Sequence, residues 1–163
     1  MTLPPFQRLL DQHARDVHRL LVASVGPVDA DDCYQETWLA AMRAYPKLRS
    51  GANLRGWILT IASRKAIDHV RRARVRAVPV GELPEPAAPL GDKPSSSPPA
   101  HASDGDLWAL VRALPPKQRT ALALRFVLDA GYGEISAAMG TTEEAARRNV
   151  HEALKRLRME YQQ

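Results

Sequence analysis

The stretch YGEISAAMGTTEEAARRNVHEALKRLR, which runs from Tyr132 to Arg158, decides the fold of this chain of 163 residues. Residues 132–139 have the spacing of a short helix, and Gly140 follows them where a left-handed helix C-cap is expected. Thr141, Thr142, Glu143 and Glu144 predict a cap and an acidic first turn for a final helix, with Thr141 and Glu144 at capping-box spacing. A short helix, a turn containing glycine and a longer helix are together typical of a helix-turn-helix.

The final helix is predicted to have two different faces. Four apolar residues fall on one side and are expected to pack inward: Ala146, Val150, Leu154 and Leu157. The other side presents basic residues, namely Arg147, Arg148, His151, Lys155 and Arg158. In a helix-turn-helix this exposed side enters the major groove, where arginine reads guanine and lysine holds phosphates. A solvated charged face is the alternative, and the preceding helix and turn favour DNA.

Proline divides the chain into two halves. Seven of the 13 prolines lie between Val78 and Asp104, interleaved with glycine and serine, so neither a continuous helix nor packed structure is expected there. Apolar residues on both sides recur at helical spacing, and strand-like alternation is absent. We therefore predict an all-α chain with two small helical domains, 1–77 and 105–163, joined by a Pro-rich flexible linker over 78–104.

Three helices are predicted in the first half, at about 6–21, 29–45 and 53–76. The inward stripe of the second includes Cys33 and Met42, and Asn53 is a possible cap for the third. In the second half, residues 107–114 form a short helix that stops before Pro115, and Pro116 begins the next, which runs to about 128. The first half should therefore be an all-helical bundle, and the second half a small helical domain that ends in the helix-turn-helix.

Composition restricts the function classes. The formal net charge of +5 favours a polyanionic partner, without separating nucleic acid from an anionic membrane. A single cysteine, Cys33, excludes an intramolecular disulfide and a cysteine-rich metal site. No segment approaches the roughly 18 apolar residues that span a bilayer, and the N-terminus lacks a signal pattern. We expect a soluble protein of the cytoplasm with no membrane insertion.

The predicted third helix carries a tryptophan among cations. Helical spacing places Trp57, Arg64 and Asp68 on roughly one face with Arg71, and Lys65 and Arg72 lie beside it. A tryptophan next to cations suits unstacked bases, because stacking contributes about 1–3 kcal/mol per base while cations follow the phosphates. The alternative is that Trp57 belongs to the core.

The predicted second helix has a polar face opposite its apolar stripe. It comprises Asp32, Gln35, Glu36, Leu39 and Arg43. An acidic and amide surface with one exposed leucine would repel DNA, so any partner is expected to be a protein, and simple solvent exposure is the alternative. Catalytic, metal and cofactor sites are not predicted, because there is no phosphate-binding glycine loop, ligand cluster or nucleophile motif. The pattern therefore gives no support to an enzyme.

Three ordered segments resemble those of the extracytoplasmic-function (ECF) sigma factors. ADDCYQETWL at 30–39 resembles the polymerase-binding helix of that family. RGWILTIA at 55–62 and AIDHVRR at 66–72 resemble its promoter-melting and minus-10 segment, and LPPKQR at 114–119, with Glu134, Ile135 and Gly140, resembles its minus-35 domain. The resemblance implies sigma domain 2, a connector and sigma domain 4, with no domain 3 between them.

The resemblance also implies partners and residue roles. Core RNA polymerase would be bound at its beta-prime clamp helices and beta subunit, together with promoter DNA and, in many relatives, an anti-sigma factor. The residues that would dock on polymerase are Asp32, Gln35, Glu36 and Leu39. Those that would contact the minus-10 DNA are Trp57, Arg64, Lys65 and Asp68, with Arg71 and Arg72 on the DNA backbone. Those that would contact minus-35 base edges are Arg147, Arg148, Asn149 and His151, with Lys155 on a phosphate.

Three positions depart from the family pattern. Arg64 stands where an asparagine often captures a flipped base, and Asn149 and Glu152 replace commonly basic residues. Base preference at both promoter elements therefore stays open. Three other hypotheses remain: a stand-alone helix-turn-helix regulator, a pure protein-interaction module, and a degenerate sigma-like protein that binds polymerase without initiating.

Overall fold

The structure, a computed structural model, describes residues 2–76 and 102–162. Within these ranges the chain is helical and contains no strand, which confirms the all-α prediction. The helices are α1 Phe6–Val25, α2 Pro27–Ala44, α3 Leu54–Arg76, α4 Ala102–Ala113, α5 Pro116–Phe126, α6 Tyr132–Met139 and α7 Glu143–Tyr161, with a short 3-10 turn, Tyr45–Lys47, after α2.

The predicted linker lies mostly outside the described residues. α4 begins at Ala102, five residues before the predicted helix start at 107, and so overlaps the last three residues of the predicted linker. The other helix limits differ from the predictions by a few residues at most.

Local hydrogen bonds explain several of the helix ends. Asn53 Oδ1 accepts a hydrogen bond from Gly56 N at 2.9 Å, which confirms the predicted cap of α3. Gly140 has a φ of 63° and ends α6 in the left-handed region, as predicted. Thr142 is the cap of α7, because its Oγ1 accepts from Ala145 N at 3.1 Å, and the capping-box pairing predicted for Thr141 and Glu144 is wrong. The Thr141 N–H donates to Ser136 O at 2.9 Å, so Thr141 still belongs to the turn that closes α6.

The first half is a bundle of α1, α2 and α3. Leu9, Leu20 and Ile58 are fully buried between these helices. The Phe6 ring meets the rings of Trp38 and Tyr45 edge-on, with centroids 6.0 and 5.4 Å away. These aromatic contacts close the end of the bundle where the chain begins.

In the second half, α5 and α6 pack against α7, and α4 packs against the C-terminal part of α7. The inward side of α7 contains buried Ala146, Val150 and Ala153. The prediction that Leu154 packs inward is wrong, because its side chain is 38% exposed while Ala153 is fully buried. The methyl group of alanine lets α7 approach its neighbours closely, which turns the face of the helix slightly away from Leu154. Met42 on α2 is likewise exposed, although it was predicted to belong to the inward stripe.

The two halves share one continuous core. A single cluster of buried apolar residues extends from Leu9 in α1 to Val150 in α7. α1 and α3 contact α5, and α3 also contacts α6. We call this contact between the halves the seam. The sequence patterns predicted two domains but did not predict that they pack on each other.

Candidate functional site

The helix-turn-helix consists of α6, the turn 140–142 and α7. Ile135 and Ala138 bury the inner side of α6, and Ala146 buries the start of α7. Glu134 Oε2 accepts from Gly131 N at 3.0 Å and closes the first turn of α6. Both helices therefore have a side-chain hydrogen bond that closes their first turn, and buried apolar residues pack them against each other.

The outer side of α7 is basic and open to solvent. All five of the predicted residues are exposed: Arg147, Arg148, His151, Lys155 and Arg158. Arg147 pairs with Glu143 at 3.7 Å, and its guanidinium lies 5.2 Å from the centroid of the Tyr132 ring. Because Arg125 also lies over this ring, at 4.9 Å, Tyr132 links the helix-turn-helix to α5.

A cavity of about 270 Å³ lies at the N-terminal end of the basic face. Lys117 of α5, Arg148 and the half-buried Asn149 line it together with Gly140 and Thr141. Lys117 and Tyr132 were not predicted as members of this surface. Lys117 lies in the LPPKQR segment that resembles the minus-35 domain, but only the packing of α5 on α7 places it beside Arg148.

The cationic face of α3 is mostly exposed. Arg64, Asp68, Arg71 and Arg72 are open to solvent, and Lys65 is half-buried. Trp57 is also half-buried, and its ring centroid lies 5.9 Å from that of Tyr45. The indole is thus fixed against the core on one side and accessible on the other, so the two interpretations of Trp57 are compatible.

The polar face of α2 is exposed at every predicted position. These are Asp32, Gln35, Glu36, Leu39 and Arg43. Leu39, at 47% exposure, and Met42 add apolar surface to it. Cys33 lies on the buried side, where desolvation, together with the carboxylates of Glu36, Asp29 and Asp32, raises the pKa of its thiol to about 11. Cys33 is therefore a neutral core residue, as predicted.

Arg55 joins the two halves across the seam. Its guanidinium pairs with Asp16 of α1 at 3.5 Å and with Glu134 of α6 at 3.1 Å, and it donates to Leu128 O at 3.4 Å. The helix-turn-helix thereby rests on α3, the helix with the predicted minus-10 residues. The sequence pattern placed Arg55 in the third helix but predicted none of these contacts.

In the described part of the chain, no group of three or more histidine, cysteine, aspartate or glutamate side chains could hold a metal ion. Among the helices of those same ranges, none is both long and apolar enough to cross a membrane.

Comparisons with known proteins match both halves. The family model for Sigma-70 region 2 matches residues 9–76, and that for Sigma-70 region 4 matches residues 104–157. The chain is 31% identical to the ECF RNA polymerase sigma factor BldN of Streptomyces coelicolor, over 93% of the chain and 58% of that protein. It is also 31% identical to SigE of Mycolicibacterium smegmatis, over 96% of the chain and 61% of SigE. The chain thus spans about three fifths of the length of these two relatives.

A third relative is matched over more of its length. The chain is 36% identical to the ECF RNA polymerase sigma factor SigD of Mycobacterium tuberculosis, over 88% of the chain and 71% of SigD. Two solved structures share the fold. RpoE in complex with the anti-sigma factor NepR from Bartonella quintana has a TM-score of 0.70 and 21% identity, over 96% of both chains. CnrH in complex with the cytosolic domain of CnrY has a TM-score of 0.67 and 17% identity, over 96% of this chain and 87% of CnrH. The chain therefore belongs to the ECF sigma factors, a family of transcription initiation factors and not of enzymes.

Proposed function

We propose that this chain binds core RNA polymerase in the cytoplasm and directs it to a subset of promoters. The observation that carries the proposal is the presence of both sigma regions, in order, with each predicted contact face open to solvent. Strand opening in this proposal is driven by binding. The unstacking of an extruded base costs a few kcal/mol, which stacking and hydrogen bonds on the protein offset.

The polymerase-docking surface of the proposal is the exposed polar face of α2. Asp32, Gln35, Glu36 and Leu39 would meet the beta-prime clamp helices. An acidic and amide surface around an exposed leucine supports a protein partner, because it disfavours the DNA backbone and offers apolar area to bury. The exposed Met42 extends the same apolar area.

Minus-10 DNA is assigned to α3. Trp57 would stack on a separated base, Arg64, Lys65 and Asp68 would meet the non-template strand, and the backbone would lie along Arg71 and Arg72. The support is the half-buried tryptophan, which is already oriented by Tyr45, beside exposed cations. Because the ring is already oriented, less side-chain entropy is lost when it captures a base.

Minus-35 DNA is assigned to α7. Arg147, Arg148, Asn149 and His151 would face base edges, with Lys155 on phosphate. Arg147, Arg148 and His151 share the exposed side of the N-terminal part of α7, which supports the assignment, and the half-buried Asn149 lines the cavity beside Arg148. Lys117 joins this surface through the shared cavity.

The packed halves would have to separate on a promoter. Elements centred near positions −10 and −35 lie about 25 base pairs apart, which is roughly 85 Å at about 3.4 Å per base pair. A packed chain of this length has a radius of gyration of only about 15 Å. The 25 residues from 77 to 101 can reach roughly 85 Å when fully extended. Opening of the seam is therefore part of the proposal.

The solved neighbours suggest a second partner. RpoE and CnrH were each solved in a complex, RpoE with the anti-sigma factor NepR and CnrH with the cytosolic domain of CnrY. For this chain we propose an inhibitory partner of the same kind. An apolar cavity of about 270 Å³ between α4, α5 and α7 supports it, because exposed Trp108, Phe126 and Leu154 line it. When the chain is co-expressed with a candidate anti-sigma factor, the Phe126→Ser variant should lose the binding that the parent chain shows.

A stand-alone regulator accounts for the helix-turn-helix alone. The match to Sigma-70 region 2 over residues 9–76, and the exposed polar face of α2, have no role in that hypothesis. It also predicts tight promoter binding without polymerase, whereas a sigma factor needs polymerase to bring its two weak contacts together.

The test is run-off transcription with bacterial core RNA polymerase on a pool of genomic promoter fragments from the source organism. Transcripts that require the chain would support the proposal and define both promoter elements. Polymerase binding without transcripts would favour the degenerate sigma hypothesis. Failure to bind polymerase, with folded protein, would reject the proposal.

A further inference from the structure

Three arginines from both halves of the chain converge on one cavity at the seam. The cavity has a volume of about 290 Å³ and is lined by Val25, Asp29, His69, Val70, Ala73, Arg74, Arg112 and Arg119. It lies where the end of α1, the start of α2 and the C-terminal part of α3 meet α4 and α5. None of the three arginines belongs to the proposed polymerase or promoter surfaces.

Arg119 is an unusual residue for such a position, because it is only 6% exposed. Its Nη1 donates to Ser24 O at 2.9 Å, and its Nη2 donates to Leu114 O at 3.1 Å and to Arg112 O. These acceptors are neutral carbonyls. Its Nε is buried and has no hydrogen-bond partner among the described residues. A guanidinium without a counter-charge is costly to bury.

Among the described side chains, the three arginines of the cavity have no carboxylate partner. Arg74 donates to a neutral carbonyl, Leu114 O, at 3.2 Å, and Asp29 is paired with His69 Nε2 at 3.2 Å. Among the side chains that the structure describes, no carboxylate oxygen lies within 4.0 Å of the guanidinium nitrogens of Arg74, Arg112 or Arg119. Burial, together with the charges of Arg74 and Arg112, lowers the pKa of Arg119 to about 10. Three arginines against one aspartate leave an excess of two positive charges in the lining.

We propose that this cavity binds a small phosphate-bearing anion, either free inorganic phosphate species or the phosphates of a nucleotide. Guanidinium groups match phosphate oxygens in geometry and form charge-assisted hydrogen bonds with them. The cavity has room for about ten waters at roughly 30 Å³ each, which is enough for one or two phosphate groups. A phosphate group held among these arginines would neutralise the excess positive charge of the lining.

The site exists only while the seam is closed. Arg74 belongs to α3, whereas Arg112 and Arg119 belong to α4 and α5. A ligand that contacts all three stabilises the packed arrangement by mass action, in proportion to RT ln(1 + [L]/Kd). The inference concerns binding to the free chain and does not rest on the proposed function.

Isothermal titration calorimetry of the full chain with pyrophosphate, at constant ionic strength set by chloride, tests the proposal. We expect saturable binding of one pyrophosphate per chain and a higher Tm in its presence. Arg74→Gln and Arg112→Gln should each weaken binding by about 10-fold or more, because each removes a charge-assisted hydrogen bond. Both residues are exposed, so these variants should fold. Arg8→Gln, at an exposed position on α1, is the matched control and should bind as the parent does.

The same titration with GDP identifies the source of the phosphate. Tighter binding of GDP than of pyrophosphate would support a nucleotide, and equal or weaker binding would support a free phosphate species. The proposal is overturned if pyrophosphate gives no saturable heat, or if the Arg74→Gln and Arg112→Gln double variant binds as the parent does. It is also overturned if duplex DNA binds at these arginines while neither small anion does.

Discussion

At the scale of a single residue, Trp57 is proposed to combine a role in the core with a role in stacking on a promoter base. Tyr45 holds one part of the indole against the core, while the rest is open to solvent beside the cations of α3. Trp57→Ala should reduce promoter opening by about 5-fold to 100-fold, as expected for one lost base stack. Polymerase binding should stay intact, because stacking acts only on separated strands. Permanganate footprinting and a polymerase affinity measurement check the two effects separately.

The variant also removes part of the core, so its stability must be measured alongside. A half-buried tryptophan is expected to contribute about 2 kcal/mol to the free energy of unfolding, less than a fully buried one. Trp57→Phe keeps a ring and is the matched control, which should retain most of the opening activity. An equal loss of polymerase binding and promoter opening in Trp57→Ala would show that Trp57 is only a core residue.

The thiol of Cys33 is predicted to be unreactive in the folded chain. With a thiol pKa of about 11, almost no thiolate forms at pH 8, and the side chain is 1% exposed. The native chain should therefore not react with a thiol reagent such as DTNB until it is unfolded. Because the unfolded thiol ionises near pH 9, the free energy of unfolding should fall as the pH rises from about 9 towards 11. Rapid labelling of the folded chain at pH 8 would contradict the buried placement.

At the scale of the element, the outer face of α2 is predicted to set polymerase affinity. Gln35→Ala combined with Glu36→Ala should weaken binding to core polymerase by about 10-fold, because both side chains lie on the exposed polar face. Binding of the isolated chain to anions at the seam should not change. Gln7→Ala combined with Asp11→Ala removes an exposed amide and acid from α1 and is the matched control. Unchanged affinity in the Gln35 and Glu36 variant would reject the docking assignment.

The turn of the helix-turn-helix depends on one glycine conformation. Gly140 has a φ of 63°, so Gly140→Ala should lower the free energy of unfolding by about 1 kcal/mol. Gly131 has a φ of −71°, and a Cβ atom added there would meet nothing within 4 Å, so Gly131→Ala should be close to neutral. Urea unfolding of the two variants measures the difference. Equal losses would mean that the backbone conformation of Gly140 does not limit stability.

Helix limits were predictable because they are local. Gly140, Pro116 and Asn53 act on the backbone within a few residues, and each appears where the pattern placed it. The choice between Thr141 and Thr142 as the cap of α7 was not predictable from spacing alone. It was decided by the hydrogen bond from Thr141 N to Ser136 O, which extends the turn by one residue.

At the scale of the whole molecule, the seam should have to open before transcription. A chain with Arg55→Cys and Glu134→Cys, joined by a cleavable bismaleimide linker, should lose promoter-dependent transcription. Cleavage of the linker should restore it, because the two halves can then reach both promoter elements. The native Cys33 is buried and will not compete for the reagent. The same variant without linker is the control, and full activity in the linked form would show that opening is not required.

The all-α fold, the turn at Gly140 and the exposed faces of α2 and α7 were all determined by the sequence alone. Each depends on backbone preferences or on residues three to four positions apart, which a helix places on one side. The seam was decided only by the tertiary structure. Arg55 and Glu134 are 79 positions apart, and Arg119 and Ser24 are 95 apart. No local pattern specifies which groups will contact each other over such separations, because that depends on how the helices pack.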